Sequence, residues 1–341
     1  MERVSRIVRN PAAGARGVAR GGRKWVNKAL GRPGVIDDGF PADDPSRCLV
    51  CRTIKTRLRE LTWGQRTYQV RVCQKCRYIS NFDNTVDYTK FVSVDKFELT
   101  SRVGTEESTG REYYMAEMGA EILRRPGLRV MVFGAGRSLD YQHIAKLPSV
   151  ERVVMSDVVD LRGEAEFINI TKGTSERFDL IIACEVVEHF PDPLTEFPRL
   201  FDLLAKDGLL VCSTNIFDDG ALGKQRYLFL RGHVSYYSPK AIAEIARRSR
   251  MLFDFRVPAI ALGHVGRRKR YVLFTRSIQN LQNTAEYFGM HPYAPSEATD
   301  LPAVAAALKA EPLGSPADDE PAAEAVPVEL VDETTRVASS G

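Results

Sequence analysis

Long apolar runs are missing from this 341-residue chain. No stretch approaches the ~20 consecutive apolar residues that a membrane-spanning helix needs, so no span is expected. Pro11, Gly14, Gly17 and the surrounding arginines interrupt the first residues, and no signal-peptide apolar region is read there. Cysteine is scarce. Of six residues, four fall in two C-x-x-C pairs, while Cys184 and Cys212 sit inside apolar stretches. That usage excludes a disulfide framework and suits a reducing cytoplasm and a metal. Net charge is small, +4, but unevenly spread. Arg and Lys crowd the beginning of the chain and the end is acidic. With 44% hydrophobic residues the chain can bury one large core and carry a smaller module besides.

Residues 1–45 are rich in Arg, Gly and Ala with little periodicity and read as a basic disordered arm. Trp25, Val26 and Leu30 could form a short helix against an acidic surface. A solvated tail and an anchor on RNA or anionic lipid are the competing readings. Residues 46–100 read as a zinc-binding module. Cys48 and Cys51, then Cys73 and Cys76, would each close a tight knuckle, and residues 67–72 between them alternate as a hairpin strand does. Four thiolates complete a tetrahedral site with no position left for water, which makes the metal structural. Such sites contribute on the order of 10 kcal/mol to folding, and so small a module depends on it. A metal-free redox motif would need only one pair, at a helix start.

Residues 101–278 carry the large domain, with an α/β alternation that predicts a doubly wound sheet. A polar connector (81–107) leads to an amphipathic helix at 112–125, where Tyr114, Met118 and Ile122 recur every four residues. The organising stretch is 129–157. An apolar strand at 129–133 ends in Gly134-Ala135-Gly136, a helix follows at 137–146, and a second strand at 152–155 runs into Ser156-Asp157. The glycines let backbone N–H groups approach a ligand, and an acid roughly 20 residues on can accept both hydroxyls of a ribose. Strands are expected at 165–170, 178–184, 209–214, 252–257 and 270–275, and helices at 194–205 and 239–250. Asp207-Gly208 reads as a turn. From about Gln279 the pattern fades, and 279–341 reads as a mostly disordered, acidic, Ala/Pro-rich tail.

These motifs resemble the class I S-adenosylmethionine-dependent methyltransferases. The order is Phe133-Gly134-Ala135-Gly136, Ser156-Asp157, then 178–184 followed by Glu185-Val186-Val187-Glu188-His189-Phe190-Pro191-Asp192-Pro193. Within that class the chain is most similar to the ubiquinone-biosynthesis O-methyltransferases and bacterial small-molecule and sugar methyltransferases. The match covers roughly residues 113–276, including a segment from His233 to Pro239 that opens a helix. A cysteine module ahead of such a domain resembles the layout of sugar C-methyltransferases. The resemblance implies a seven-stranded Rossmann-like sheet and S-adenosylmethionine as cofactor. It implies that Gly134, Ala135 and Gly136 lie under the cofactor, that Asp157 takes the ribose hydroxyls, and that Asn169 and Ile170 stand at the adenine. Cys184 and Glu185 would face the methionine end. His189 and His233 are the candidate bases, with Glu188 beside them, and a divalent ion near Glu185 and Glu188 is a further implication. Two departures stand out. Val132 occupies the place of an acid that helps hold the methionine amino group, and Ser138 that of the third glycine.

Three alternatives remain open. A dehydrogenase would keep a fuller glycine pattern, whereas Leu139 stands at its third glycine. An RNA methyltransferase could use Arg52, Lys55, Arg57, Arg59, Arg66, Arg71, Lys75 and Arg77 on phosphates and stack bases on Trp63 and Tyr68. It would, however, be expected to carry an Asn-Pro-Pro-Tyr-type or Pro-Cys loop. A non-catalytic adaptor would keep the fold and bind partners through the module and tails. The expectation is a cytoplasmic, zinc-containing methyltransferase acting on a hydroxyl or carbon of a small-molecule or glycan-linked acceptor, with nucleic acid the lesser candidate. The acceptor pocket would be built from the 112–125 helix, residues 233–237 and the loop around Gly263.

Overall fold

Apolar alternation in the strands decides how the layers stack. The computed structural model describes residues 46–93, 103–160, 163, 166–218, 220–262 and 268–295. The expected basic arm, the loop around Gly263 and the acidic tail beyond 295 lie outside them. Among the described residues the chain builds two sheets. The larger contains β4 (Leu128–Phe133), β5 (Val150–Asp157), β6 (Phe167–Asn169), β7 (Phe178–Cys184), β8 (Leu204–Asn215), β10 (Leu252–Arg256) and β11 (Lys269–Thr275). Their order is β6-β5-β4-β7-β8-β11-β10, parallel except that β11 runs antiparallel to both neighbours. Strand order reverses between β4 and β7, and such a switch point leaves a crevice at the carboxyl ends of the strands.

Alternate residues of the central strands feed two cores, as a period of two requires. Val130, Val132, Leu180, Ile182 and Val211 pack with helices α1 (Arg111–Leu123) and α5 (Ile278–Met290). Met131, Phe133, Ile181, Ala183 and Leu210 pack with α3 (Pro193–Leu203) and α4 (Pro239–Ser249) on the other face. A short helix α2 (Asp140–Ile144) follows the glycine turn. It is five residues long where the sequence suggested ten, because Leu139 precedes it in a non-helical conformation. The turn at Asp207-Gly208 is a bulge inside β8. The ladder with β7 passes from Leu204 to Leu209 while β7 advances only from Phe178 to Leu180.

The smaller sheet has the order β1-β2-β3-β9: β1 (Thr56–Trp63), β2 (Arg66–Cys73), β3 (Ile79–Ser80) and β9 (Ser235–Tyr236). Its fourth strand belongs to the large domain, so the cysteine module is not a separate bead. Cys48, Val50, Cys51, Cys73, Cys76 and Tyr78 are continuous with the core that holds α3 and α4. The chain also does not lose its pattern at Gln279. Helix α5 packs with residues 280, 283, 284, 287 and 288 inward, a helical stripe whose first three members are Asn280, Asn283 and Thr284. A hydrophobicity reading misses such a stripe because its buried positions are polar. They are satisfied: the Asn280 amide donates to the Asp207 carbonyl (2.9 Å) and the Asn283 amide to the Ile122 carbonyl (2.8 Å). No helix among the described residues is long and apolar enough to cross a membrane.

Candidate active site and metal centre

The glycine turn is backbone that side chains would spoil. Gly134 and Gly136 adopt φ of 71° and 53°, the left-handed region that favours glycine. A Cβ on Gly134 would stand 2.6 Å from a Val186 methyl, so the turn and the segment after β7 are in direct contact. Ser138 replaces the third glycine usefully. Its hydroxyl donates to Glu112 (3.1 Å), and Asp140 accepts from the backbone N–H of Gly110 (2.6 Å) and Glu112 (3.0 Å). Burial, then the neighbouring Asp140, pushes the Glu112 carboxyl up to about 8. Glu112 of α1 thus stands on the other side of the same loop, held by Ser138.

Asp157 ends β5 and accepts from the N–H of Val158 at 2.7 Å. Burial raises it to about 6. Asn169 pairs with Asp157 across β5 and β6, donates to the Val158 carbonyl (2.9 Å) and accepts from the N–H of Thr171 (2.9 Å). The N–H of Ile170 donates to the Asp157 carbonyl at 3.0 Å. The hydroxyl of Ser156 is buried without a partner. An ionisable carboxyl and an unpaired hydroxyl beside a glycine turn suit a nucleoside, and the residues fit the cofactor expected of them.

Beyond β7 the groups diverge in role. Glu185 has φ of 54° and its carboxylate pairs with Lys269 and accepts from Ser213. Burial pushes it up, but Lys269 and Arg111 outweigh burial and hold it at about 2. Glu188 is fully buried. One oxygen accepts from the Tyr227 hydroxyl and the other has no partner. Burial and then the charge on Glu185 push Glu188 up to about 7. His189 has its Nδ1 2.8 Å from the Gly232 carbonyl and 2.9 Å from the Tyr88 hydroxyl. With Nδ1–H donating to that carbonyl, the Nε2 lone pair is left free. His233 stands against it, ring centroids 4.9 Å apart, with a buried Nδ1 lacking a partner. Burial and His189 lower it to about 3.

Ligand atoms of Glu188, His189 and His233 lie within 4.8 Å of one another. The divalent ion expected near Glu185, Glu188 and His189 would meet a different grouping: Glu185 pairs with Lys269, while His233 stands with Glu188 and His189. Cys184 is buried, its sulfur 3.6 Å from the Ser213 hydroxyl, and burial pushes its thiol up, so it offers packing and no reactive thiolate.

The sulfurs of Cys48, Cys51, Cys73 and Cys76 also lie within 4.8 Å of one another, with Cys48–Cys76 and Cys51–Cys73 at 3.5 Å. A tetrahedron of Zn–S bonds of about 2.3 Å sets its corners at such separations. Backbone N–H groups of Val50, Lys75 and Cys76 point at the sulfurs from 3.3 to 3.4 Å. Arg52 and Arg77 close the two knuckles at φ of 60° and 63°. Hydrogen bonding among the four thiols raises Cys48 and Cys76 and lowers Cys51 and Cys73. The donor set fits zinc.

The structure corrects part of the RNA reading. Trp63 stacks on Phe229 with ring centroids 5.0 Å apart, and Tyr68 is buried against the same ring, so these aromatics are used up in packing. Arg52 is buried as well. Tyr88, Arg111, Tyr227 and Lys269 join the site unannounced. They come from distant elements, and no local motif marks them.

A family model described as a methyltransferase domain matches residues 108–249. Ubiquinone biosynthesis O-methyltransferase from Cereibacter sphaeroides is 33% identical over 100 residues, covering 29% of this chain and 34% of the relative. Malonyl-[acyl-carrier protein] O-methyltransferase from Bacteroides helcogenes is 38% identical over 79 residues, 23% of this chain and 26% of the relative. The chain spans about a third or less of the length of these curated relatives. Among solved structures, 1,6-didemethyltoxoflavin-N1-methyltransferase of Burkholderia thailandensis, crystallised with 1,6-didemethyltoxoflavin and S-adenosylhomocysteine, is 22% identical with a TM-score of 0.35. The likeness covers 48% of this chain and 77% of that one.

Proposed function

We propose that this chain, whose residues 108–249 match a family model described as a methyltransferase domain, is a class I S-adenosylmethionine-dependent methyltransferase that methylates a hydroxyl or carbon of a small-molecule or glycan-linked acceptor. The curated relatives are O-methyltransferases, which favours the hydroxyl. One observation carries the reading. A histidine with a free Nε2 stands three residues beyond Val186, which itself touches the glycine turn. Cofactor and base therefore share one edge of the sheet.

Gly134, Gly136 and Asp157 would hold the cofactor, with Glu112 and Arg111 on the methionine side. Bound there, the cofactor supplies a methyl carbon on a sulfonium. What remains for the protein is alignment of the acceptor and removal of its proton. His189 Nε2 takes that proton, its ring fixed by the Gly232 carbonyl and Tyr88. Burial lowers His189, so at neutral pH the ring is in the proton-accepting form. The Glu185–Lys269 pair keeps a carboxylate ionised beside the cofactor. Calorimetry with S-adenosylhomocysteine tests the reading. Binding that is lost in Asp157→Ala supports it and justifies an acceptor screen beginning with sugar nucleotides. A folded, zinc-replete protein that does not bind would leave the adaptor reading in its place.

A second role for the same cluster rests on the two buried ligand atoms without partners, Glu188 Oε2 and His233 Nδ1. Glu188, His189 and His233 would there hold one divalent cation that polarises the acceptor oxygen. One Mn2+ seen by electron paramagnetic resonance and lost in Glu188→Gln would favour it. Zinc-free buffer with no Mn2+ signal would return His189 to the role of base.

A further inference from the structure

The cysteine centre lies on the acceptor side of the molecule, and its contacts lead one way. The Cys76 carbonyl accepts from the Ser238 hydroxyl, and the Cys51 carbonyl from Arg248 at 3.2 Å. Tyr78 meets the Ser235 hydroxyl at 2.7 Å, and Ser235 in turn donates to the Phe190 carbonyl at 2.6 Å. Ile79 and Ser80 then pair with Tyr236 and Ser235 as β3 and β9.

The chain after β3 continues this course without regular sheet. The Asn81 N–H donates to the Val234 carbonyl (2.8 Å) and its side-chain amide to the Leu228 carbonyl (2.9 Å). The Asn84 amide reaches the carbonyls of Leu230 and His233, and the Asn84 carbonyl accepts from the N–H of Gly232 at 3.1 Å. Both asparagines are buried. Val234 N–H closes the circuit onto the Glu188 carbonyl at 3.0 Å, and Tyr88 completes it at His189. Residues 228–234 include a loop with one internal turn, His233 N–H on the Leu230 carbonyl at 3.0 Å. The carbonyls of Leu228, His233 and Val234 take donors from outside the loop, and Asn81 and Asn84 supply them. The cofactor half has its own supports: Gly134 N–H on the Ser156 carbonyl, Ser138 on Glu112, and Asp157 on Val158.

We infer that the four-cysteine centre and the strap at residues 78–91 position the acceptor half of the site, with Asn81 and Asn84 as the residues that fix the loop carrying His233. This rests on the reading of His189 and His233 as acceptor-side groups. The metal then governs the local opening of the acceptor half of the site more than that of the cofactor half.

Hydrogen exchange on the full-length, cobalt-loaded chain tests this, since cobalt in a thiolate site reports its own integrity by absorption. In Asn84→Ala, exchange across 230–234 rises at least tenfold. Exchange across 134–139 and 156–158 and the affinity for S-adenosylhomocysteine stay within twofold, and the cobalt–thiolate band persists. Removing the metal from the parent chain, well below its melting transition, abolishes that band and raises exchange across 230–234 at least tenfold more than across 134–139 and 156–158. Unchanged exchange at 230–234, or an equal rise in both halves, overturns the inference. Tyr88→Phe serves should Asn84→Ala fail to fold: it must shift the Nδ1 nitrogen resonance of His189 without moving cofactor affinity, and an unmoved resonance counts against the strap. Failure of the parent to bind the cofactor refutes the methyltransferase reading alone, because the exchange comparison needs no cofactor.

Discussion

Asp157 is asked to be an anion where burial resists it. Held up to about 6, it would, in the proposed cofactor site, have to lose its proton to accept two ribose hydroxyls, and those donors would favour the ionised form. The sign follows: below about pH 6 cofactor binding must first expel a proton, so affinity falls roughly tenfold for each pH unit well below that value. Calorimetry of S-adenosylhomocysteine at pH 5 and 7.5, in buffers of different ionisation heat, should show proton release on the acid side only. Asp157→Asn should bind weakly and without this slope. Glu112 gives a stability test in the same sense. Its folded value of about 8 exceeds the ordinary 4.5, so the folded chain binds the extra proton and stability falls as pH rises between those values. Glu112→Gln, which stays neutral, should flatten that fall in thermal melts between pH 5 and 8.5. Gly134, Gly136, Asp157 and the four cysteines could be read from sequence because each belongs to a pattern of fixed short spacing. Tyr88, Tyr227 and Lys269 could not, since they reach His189, Glu188 and Glu185 across 101, 39 and 84 residues.

At the scale of elements, strands were legible wherever apolar runs feed both faces of the sheet, as at β4, β7 and β8. Helix α5 was hidden because three of its five buried positions are polar, two of them asparagine, and burial of an amide is invisible to hydropathy until its partner carbonyl is known. That carbonyl is the one at Ile122, near the end of α1, which has lost its helical partner there. Asn283→Ala removes the donor and leaves a buried carbonyl unpaired, a loss of about 1–3 kcal/mol. Asn283→Leu adds apolar volume without a donor and should do no better. Chemical denaturation of both variants, read by tryptophan fluorescence, checks the order. A Leu variant as stable as the parent would mean that α5 is held by Tyr287 and Phe288 alone.

The whole molecule has one consequence that neither module has singly. A zinc module drawn as a bead on a linker would melt by itself when stripped of metal, and the remaining domain would keep its own transition. Here β9 of the large domain is the fourth strand of the small sheet, and the cysteines share a core with Phe197, Phe201, Tyr237 and Ile242. Without a bound ion, four sulfurs would stay crowded within 4.8 Å of one another against the core they share. The sequence pointed to separate units because each has its own motif, and motifs say nothing of shared strands. Calorimetric unfolding of the zinc-loaded chain should therefore give a single transition. Chelation, or Cys73→Ser, should move that whole transition down by ten degrees or more instead of splitting it, since a structural zinc site is worth about 10 kcal/mol and a domain of this size loses roughly 2–4 °C per kcal/mol. Two transitions in the parent, the lower alone answering to zinc, would show that the shared strand does not couple the halves.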